Sequence, residues 1–244
     1  MPQRIAIVST ARTPIGRAYS GAFNATHAPS LASHAIEMAL RQSGVNAADV
    51  DEVILGCARP EGTQGGNIAR IAAIKAGLPV SVSGLTVSRQ CGSGLQAIVS
   101  AAHRILLGEC EVVVAGGLEC VSLVQNEHTN VHFNRDPALL GQFPDIYMPM
   151  LETSDQVAER FGISRDEQDI FAFESQRRTA KAQAEGKFDA EIFPFTTKKV
   201  FKNKATGELT EEAVTLAQDE GNRPGTTLEG LAALKPVLLG GTST

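Results

Sequence analysis

Apolar residues along this chain fall into short compact runs separated by stretches of helical spacing. Arg4–Thr10 (RIAIVST), Val53–Cys57, Gly84–Ser88 and Val112–Ala115 are short, mostly apolar runs, which predict four strands, the first two of them buried. Between them, apolar positions recur every three or four residues. Leu31, Ile36, Met38 and Leu40 predict a helix opened by Ser30 and stopped at Gly44. Ile68, Ile71, Ala72 and Ile74 predict a second, ending near Gly77. Leu95, Ile98, Val99, Ala102, Ile105 and Leu106 predict a third, beginning at Cys91-Gly92. Strands alternating with helices imply parallel pairing and a layered α/β fold.

The pattern changes near Cys120. Residues 121–149 hold three prolines and no clear period, and read as a long loop. Ser154–Phe161 and Arg165–Glu185 then read as helices, with Ser164 and Glu167 at the spacing of a capping box. Phe171, Phe173 and Ala180 along the second are expected in a core. Lys198, Lys199, Lys202 and Lys204 gather on an apparent hairpin that turns near Ala205-Thr206-Gly207. A solvated edge that resists aggregation is a simpler reading of them than a phosphate site.

Composition narrows the class. The chain has 244 residues, enough for one large domain or two small ones, with 43% hydrophobic and 20% charged residues, as in soluble globular proteins. A net charge of −5 argues against nucleic acid or an anionic membrane surface as the main partner. No apolar run reaches bilayer-spanning length. Met1-Pro2-Gln3-Arg4 leads straight into the first apolar run and does not read as a signal peptide. The cysteines, Cys57, Cys91, Cys110 and Cys120, lack C-x-x-C spacing, so neither a zinc site nor a redox pair is implied and a cytoplasmic, reduced state is expected. His128 and His132 lie four apart in an irregular segment, and no metal site is expected there.

Cys91 carries the candidate chemistry. A cysteine at the start of a helix sits near the positive end of the helix dipole, which favours the nucleophilic thiolate. Gly92, Ser93 and Gly94 leave room for a substrate to approach the backbone. Two other readings compete. Cys91 is equally readable as an ordinary buried thiol. Gly92-x-Gly94-x-x-Ala97, between a strand and a helix, also partly matches a dinucleotide-binding fingerprint, with Glu111 or Glu119 as the acidic partner.

Val87-Ser88-Arg89-Gln90-Cys91-Gly92-Ser93-Gly94-Leu95-Gln96-Ala97 resembles the nucleophile motif of the thiolase family. Arg12-Thr13-Pro14-Ile15-Gly16 resembles its opening signature, and Ala115-Gly116-Gly117-Leu118-Glu119-Cys120-Val121-Ser122 its glycine-rich turn. The stretch from Asp219-Glu220-Gly221-Asn222-Arg223-Pro224-Gly225 to Lys235-Pro236 resembles its end-of-loop-domain motif. Four motifs in the family's order span nearly the whole chain. The resemblance implies half of a layered αβα core with a mixed, mostly parallel sheet over residues 1–119. It implies an inserted α-rich, coenzyme A-binding loop domain over 120–239, and the start of a last core strand at 240–244. It implies an acyltransferase acting on acyl-CoA and coenzyme A, which are substrates, with no separate cofactor. Cys91 would carry the acyl group, with its backbone N–H in an oxyanion hole. Arg223 would lie near the nucleotide end of coenzyme A, and Met150 and Leu231 along its pantetheine arm. The implied assembly is a homodimer joined through the strand Leu85–Ser88.

There are departures. Ser88 stands where many members have Asn, and Met150-Leu151-Glu152-Thr153 replaces a Met-Gly-x-Thr pattern. The segment 121–150 is shorter than in tetrameric members. The Gly-His-Pro histidine, the Asn-Glu-Ala-Phe asparagine and the second catalytic cysteine of the family are not found in these 244 residues. The expectation is therefore an acyltransferase half-site that turns over poorly alone. The alternative is a non-catalytic coenzyme A-binding subunit completed by a second chain.

Overall fold

The computed structural model describes residues 4–203 and 205–244. The chain divides into two compact units, one formed by residues up to Thr129 together with Asp189–Gly221, the other by Asn130–Phe188 with Asn222–Thr244.

The first unit holds α1 (Ala28–Ser43), β1 (Glu52–Gly56), α2 (Ile68–Lys75), β2 (Ser83–Val87), α3 (Ser93–Leu106), β3 (Val113–Gly117) and the short α4 (Val121–Val124). β1, β2 and β3 form a parallel sheet in the order β2-β1-β3, so Ile54 of the central strand faces Leu85 on one side and Ala115 on the other. Every residue of β1 is buried. Side chains alternate across a strand. Val53 and Leu55 accordingly pack with Ile36, Ala69, Ala72 and Ala73 of α1 and α2, while Ile54 packs with Ala97 and Ala101 of α3. The result is three layers, helix, sheet and helix, in agreement with the α/β class expected from the sequence. At the N-terminal end of β1, the buried Glu52 carboxylate pairs with Arg104 of α3 at 2.7 Å and accepts from Ser83 Oγ at 3.1 Å.

The same unit contains an antiparallel hairpin of β4 (Phe195–Lys202) and β5 (Leu209–Leu216). The Asn24 side chain docks on it like one rung of a strand, donating to Val200 O at 2.8 Å and accepting from Val200 N at 3.0 Å. Lys198 pairs with Glu211 at 3.0 Å and Lys199 lies 4.9 Å from the Phe201 ring centroid, as suits a solvated hairpin. Lys204 of the expected cluster lies outside the described residues.

Several expectations are corrected. Residues 4–10 are not a buried strand. They form no ladder, and Ile7 and Val8 are 73% and 70% exposed. The run lies along a cavity of about 560 Å³ walled by α1, α3 and β3, and apolarity without a paired neighbour does not make a strand. Just beyond the run, Arg12 forms an isolated bridge with Ile192, its N–H donating to Glu191 O and its carbonyl accepting from Phe193 N. α1 starts before Ser30, because Pro29 fits the first helical turn, and it ends at Gly44 with φ 71° as expected.

The second unit is helical: α5 (Pro137–Gln142), α6 (Met150–Phe161), α7 (Arg165–Ala184) and α8 (Leu228–Ala232). The stretch 121–149 is thus not all loop, since α4 and α5 lie within it. Asp136 caps α5 through the Ala138 and Leu139 amides. The capping box is present, Ser164 Oγ accepting from Glu167 N while the Glu167 carboxylate accepts from Ser164 N. α8 packs on α7, where the Arg165 guanidinium donates to the carbonyls of Leu231 and Leu234 and pairs with the buried Asp169 at 2.9 Å. Asp155 accepts from the amides of Thr242 and Ser243. Phe171 is 79% exposed rather than in a core, because α7 carries no continuous apolar stripe.

Candidate active site

The strand-to-helix turn after β2 is built from main-chain contacts. Gly92 caps α3, so the helix begins two residues beyond Cys91, slightly later than its apolar spacing suggested. Gln90 takes a left-handed φ of 50°, uncommon for a residue with a side chain. Ser93, 4% exposed, ties the turn together: Arg89 N donates to its hydroxyl at 2.8 Å, and the hydroxyl donates to Gln90 O at 2.6 Å. Ser93 N and Gly92 N donate to the carbonyls of Gln90 and Arg89. The Arg89 guanidinium reaches forward to the Gln96 side chain.

Close approach of α3 to the sheet depends on glycine. A Cβ at Gly56 would lie 2.2 Å from the Ser93 carbonyl carbon, and one at Gly117 would lie 3.1 Å from Gly94 Cα. The first turn of α3 therefore rests directly on the carboxyl ends of β1 and β3, where parallel α/β folds keep their reactive groups.

Of the four cysteines, only Cys91 is exposed. Cys57 is fully buried, and burial, helped by the Glu119 charge, pushes its thiol up to about 11. Burial also raises Cys120, whose Sγ donates to Thr26 O at 3.3 Å. The ordinary buried thiol describes those cysteines and Cys110, and it does not describe Cys91.

Glu119, the candidate ribose partner, is otherwise engaged. Its carboxylate accepts from Ala58 N at 2.9 Å and from the Gln64 side chain, and Gln64 Oε1 in turn accepts from Cys120 N at 2.7 Å. Glu111 precedes β3 and donates its own amide to Asp51. The dinucleotide reading thus loses its acidic group. Gln64 is fully buried at the carboxyl end of the sheet and was not singled out in the sequence, where it lies in a polar, glycine-rich loop.

Met150, Arg223 and Leu231 all lie in the second unit, and Cys91 lies in the first. Met150 opens α6 and is exposed. Arg223 is exposed on the loop before α8, and its backbone N–H donates to Gln176 Oε1 at 2.8 Å. Leu231, on α8, is half-buried, with its carbonyl held by Arg165. Among the described residues no group of three or more His, Cys, Asp or Glu is arranged to hold a metal, and no helix is long and apolar enough to cross a membrane.

A layered α/β unit with one exposed thiol on a strand-to-helix turn is the class these features define. The family profile "Thiolase, N-terminal domain" matches residues 5–244. A 3-ketoacyl-CoA thiolase of Bacillus subtilis (strain 168) is 41% identical over 231 residues, 94% of this chain and 58% of that protein. A beta-ketoadipyl-CoA thiolase of Escherichia coli is 43% identical over 242 residues, 92% of this chain and 57% of that protein. The crystal structure of the Bacillus anthracis acetyl-CoA acetyltransferase superposes with a TM-score of 0.79 at 36% identity, covering 97% of this chain and 59% of that one. The chain belongs to the thiolase family. It spans less than three-fifths of the length of these relatives.

Proposed function

We propose that this chain supplies the acyl-accepting nucleophile and the carrier-binding segment of a coenzyme A-dependent acyltransferase. The Cys91 thiolate attacks the thioester carbonyl carbon. The bond from that carbon to the coenzyme A sulfur breaks, the coenzyme A thiolate leaves, and the acyl group stays on Cys91. The proton that Cys91 gave up ends on the departing thiol. The observation that carries this reading is that one cysteine of four is exposed, on a turn that opens a helix.

Met150 and Leu231 supply apolar surface and Arg223 a cation, which is what a partly apolar, phosphorylated carrier requires. No further cofactor is needed for thioester exchange. Carbon–carbon bond formation or cleavage needs a base and a second proton carrier. The histidine and second-cysteine motifs expected for those roles are not among these 244 residues, so acylation without condensation is the proposed behaviour of this chain alone. The proposed domains are a core half over 1–119 and a coenzyme A-binding segment over 120–239. The proposed setting is the cytoplasm. β2 is an edge strand, which supports a homodimer joined across Leu85–Ser88.

The test is intact mass after incubation with acetyl-CoA. An acetyl increment that is absent in Cys91→Ala supports the acyl-carrier role. Coenzyme A binding with no increment at any pH would replace it with a non-covalent carrier-binding role.

A further inference from the structure

We propose that the Ser93 hydroxyl is a positioning group for Cys91, holding Gln90 in its left-handed conformation. This rests on the reading of Cys91 as the acyl carrier. Gly92, the N-cap of α3, has no side chain with which to cap the helix, and the next residue is Ser93. Its hydroxyl points backwards, donating to Gln90 O at 2.6 Å and accepting from Arg89 N at 2.8 Å. Those two groups belong to the Ser88–Arg89 and Gln90–Cys91 peptides, which bracket Arg89 and Gln90, so the hydroxyl ties down both ends of the two-residue stretch whose dihedrals include those of Gln90.

The conformation it fixes is unfavourable by itself. A residue with a Cβ at φ 50° persists only where its surroundings over-determine it. Cys91 follows immediately, and the backbone dihedrals of Gln90 set where its sulfur stands relative to the first turn of α3. Ser93 is well placed for the task, because its own carbonyl carbon is packed against Gly56 and its side chain is nearly inaccessible to water. Without the hydroxyl, Gln90 would relax toward an ordinary conformation and carry Cys91 away from the helix start.

The experiment measures two rates at Cys91, acetylation by acetyl-CoA and carbamidomethylation by iodoacetamide, each read by peptide mass. The native chain, Ser93→Ala, Gln90→Gly and the double variant are compared. Two lost hydrogen bonds predict that Ser93→Ala slows both reactions by about tenfold. Glycine adopts the left-handed conformation freely, so the Ser93→Ala change made on Gln90→Gly is expected to cost about threefold or less. Such suppression would not accompany a merely structural loss. Native rates in Ser93→Ala would overturn the inference. So would an equal loss in both backgrounds, or a Ser93→Ala protein that is unfolded and not restored by Gln90→Gly. If the native chain takes no acetyl group, the acyl-carrier reading fails, while the iodoacetamide rates still decide the role of Ser93.

Discussion

Arg12 and Asp219, 207 positions apart in sequence, meet in a two-pronged ion pair, with guanidinium-to-carboxylate distances of 2.7 and 3.0 Å. Asp219 Oδ1 also accepts from Ile15 N at 2.7 Å, and Glu220 beside it accepts from Arg17 N at 2.7 Å. Arg12 further pairs with Glu191. Two of the motifs shared with the family, Arg12–Gly16 and the one opening at Asp219, are therefore two sides of one contact.

Burial pushes the Asp219 carboxyl up, but hydrogen bonds from Arg12 and the Ile15 amide outweigh it and hold it below its ordinary value. The pair is partly solvated, so its worth is below that of a fully buried one. Asp219→Asn is expected to cost about 2 kcal/mol, read from urea unfolding midpoints. Arg12→Lys should cost a similar amount, because lysine cannot reproduce the planar fork. A double variant no worse than either single one would establish the coupling, and simple additivity would refute it.

Gly56→Ala tests the seat of α3. The new methyl would meet the Ser93 and Gly94 backbone at 2.2–2.5 Å, where no flexible side chain can yield. The expected cost is about 2 kcal/mol or more in stability, with a matching loss of Cys91 alkylation rate. Gly141→Ala, where nothing lies within 4 Å of the added methyl, is the control and should leave the alkylation rate unchanged.

Asp51 gives a pH-dependent prediction. Its carboxylate accepts from the amides of Val112 and Glu111, and these bonds hold its pKa below the ordinary 3.8. A depressed carboxyl stabilises the fold fully above the unfolded-state value, and the contribution is lost as pH falls through the folded-state value. Asp51→Asn should therefore unfold at lower urea than the native chain at pH 7. The gap should close as pH drops below 3.8. A gap that stays constant down to pH 3 would contradict the assignment.

The strands at 52–56, 83–87 and 113–117 were legible in the sequence as short, mostly apolar runs, although only the central one, 52–56, is buried along its whole length. The run at 4–10 looks the same, yet apolarity reports only a wish for burial, and a strand also needs a neighbour to bond. α6 begins at Met150, before its apolar pattern, because Pro149 fixes the entry. Cys91 was legible because a strand signal stops and a helical period starts on either side of it. The Ser93 clamp, the Gln64–Glu119 pair and the Arg12–Asp219 contact were not. Their hydrogen bonds follow from how the chain returns on itself, and neither spacing nor composition encodes a partner many tens of residues away.

The glycine seat of α3 has a consequence for motion. Where Gly56, Gly94 and Gly117 bring main chain against main chain, no side-chain rotamer stands between the helix and the sheet. Rotamers hop in picoseconds to nanoseconds, whereas packed strands do not. The first turn of α3, two residues beyond Cys91, is thus seated on the sheet without an intervening rotamer that could hop.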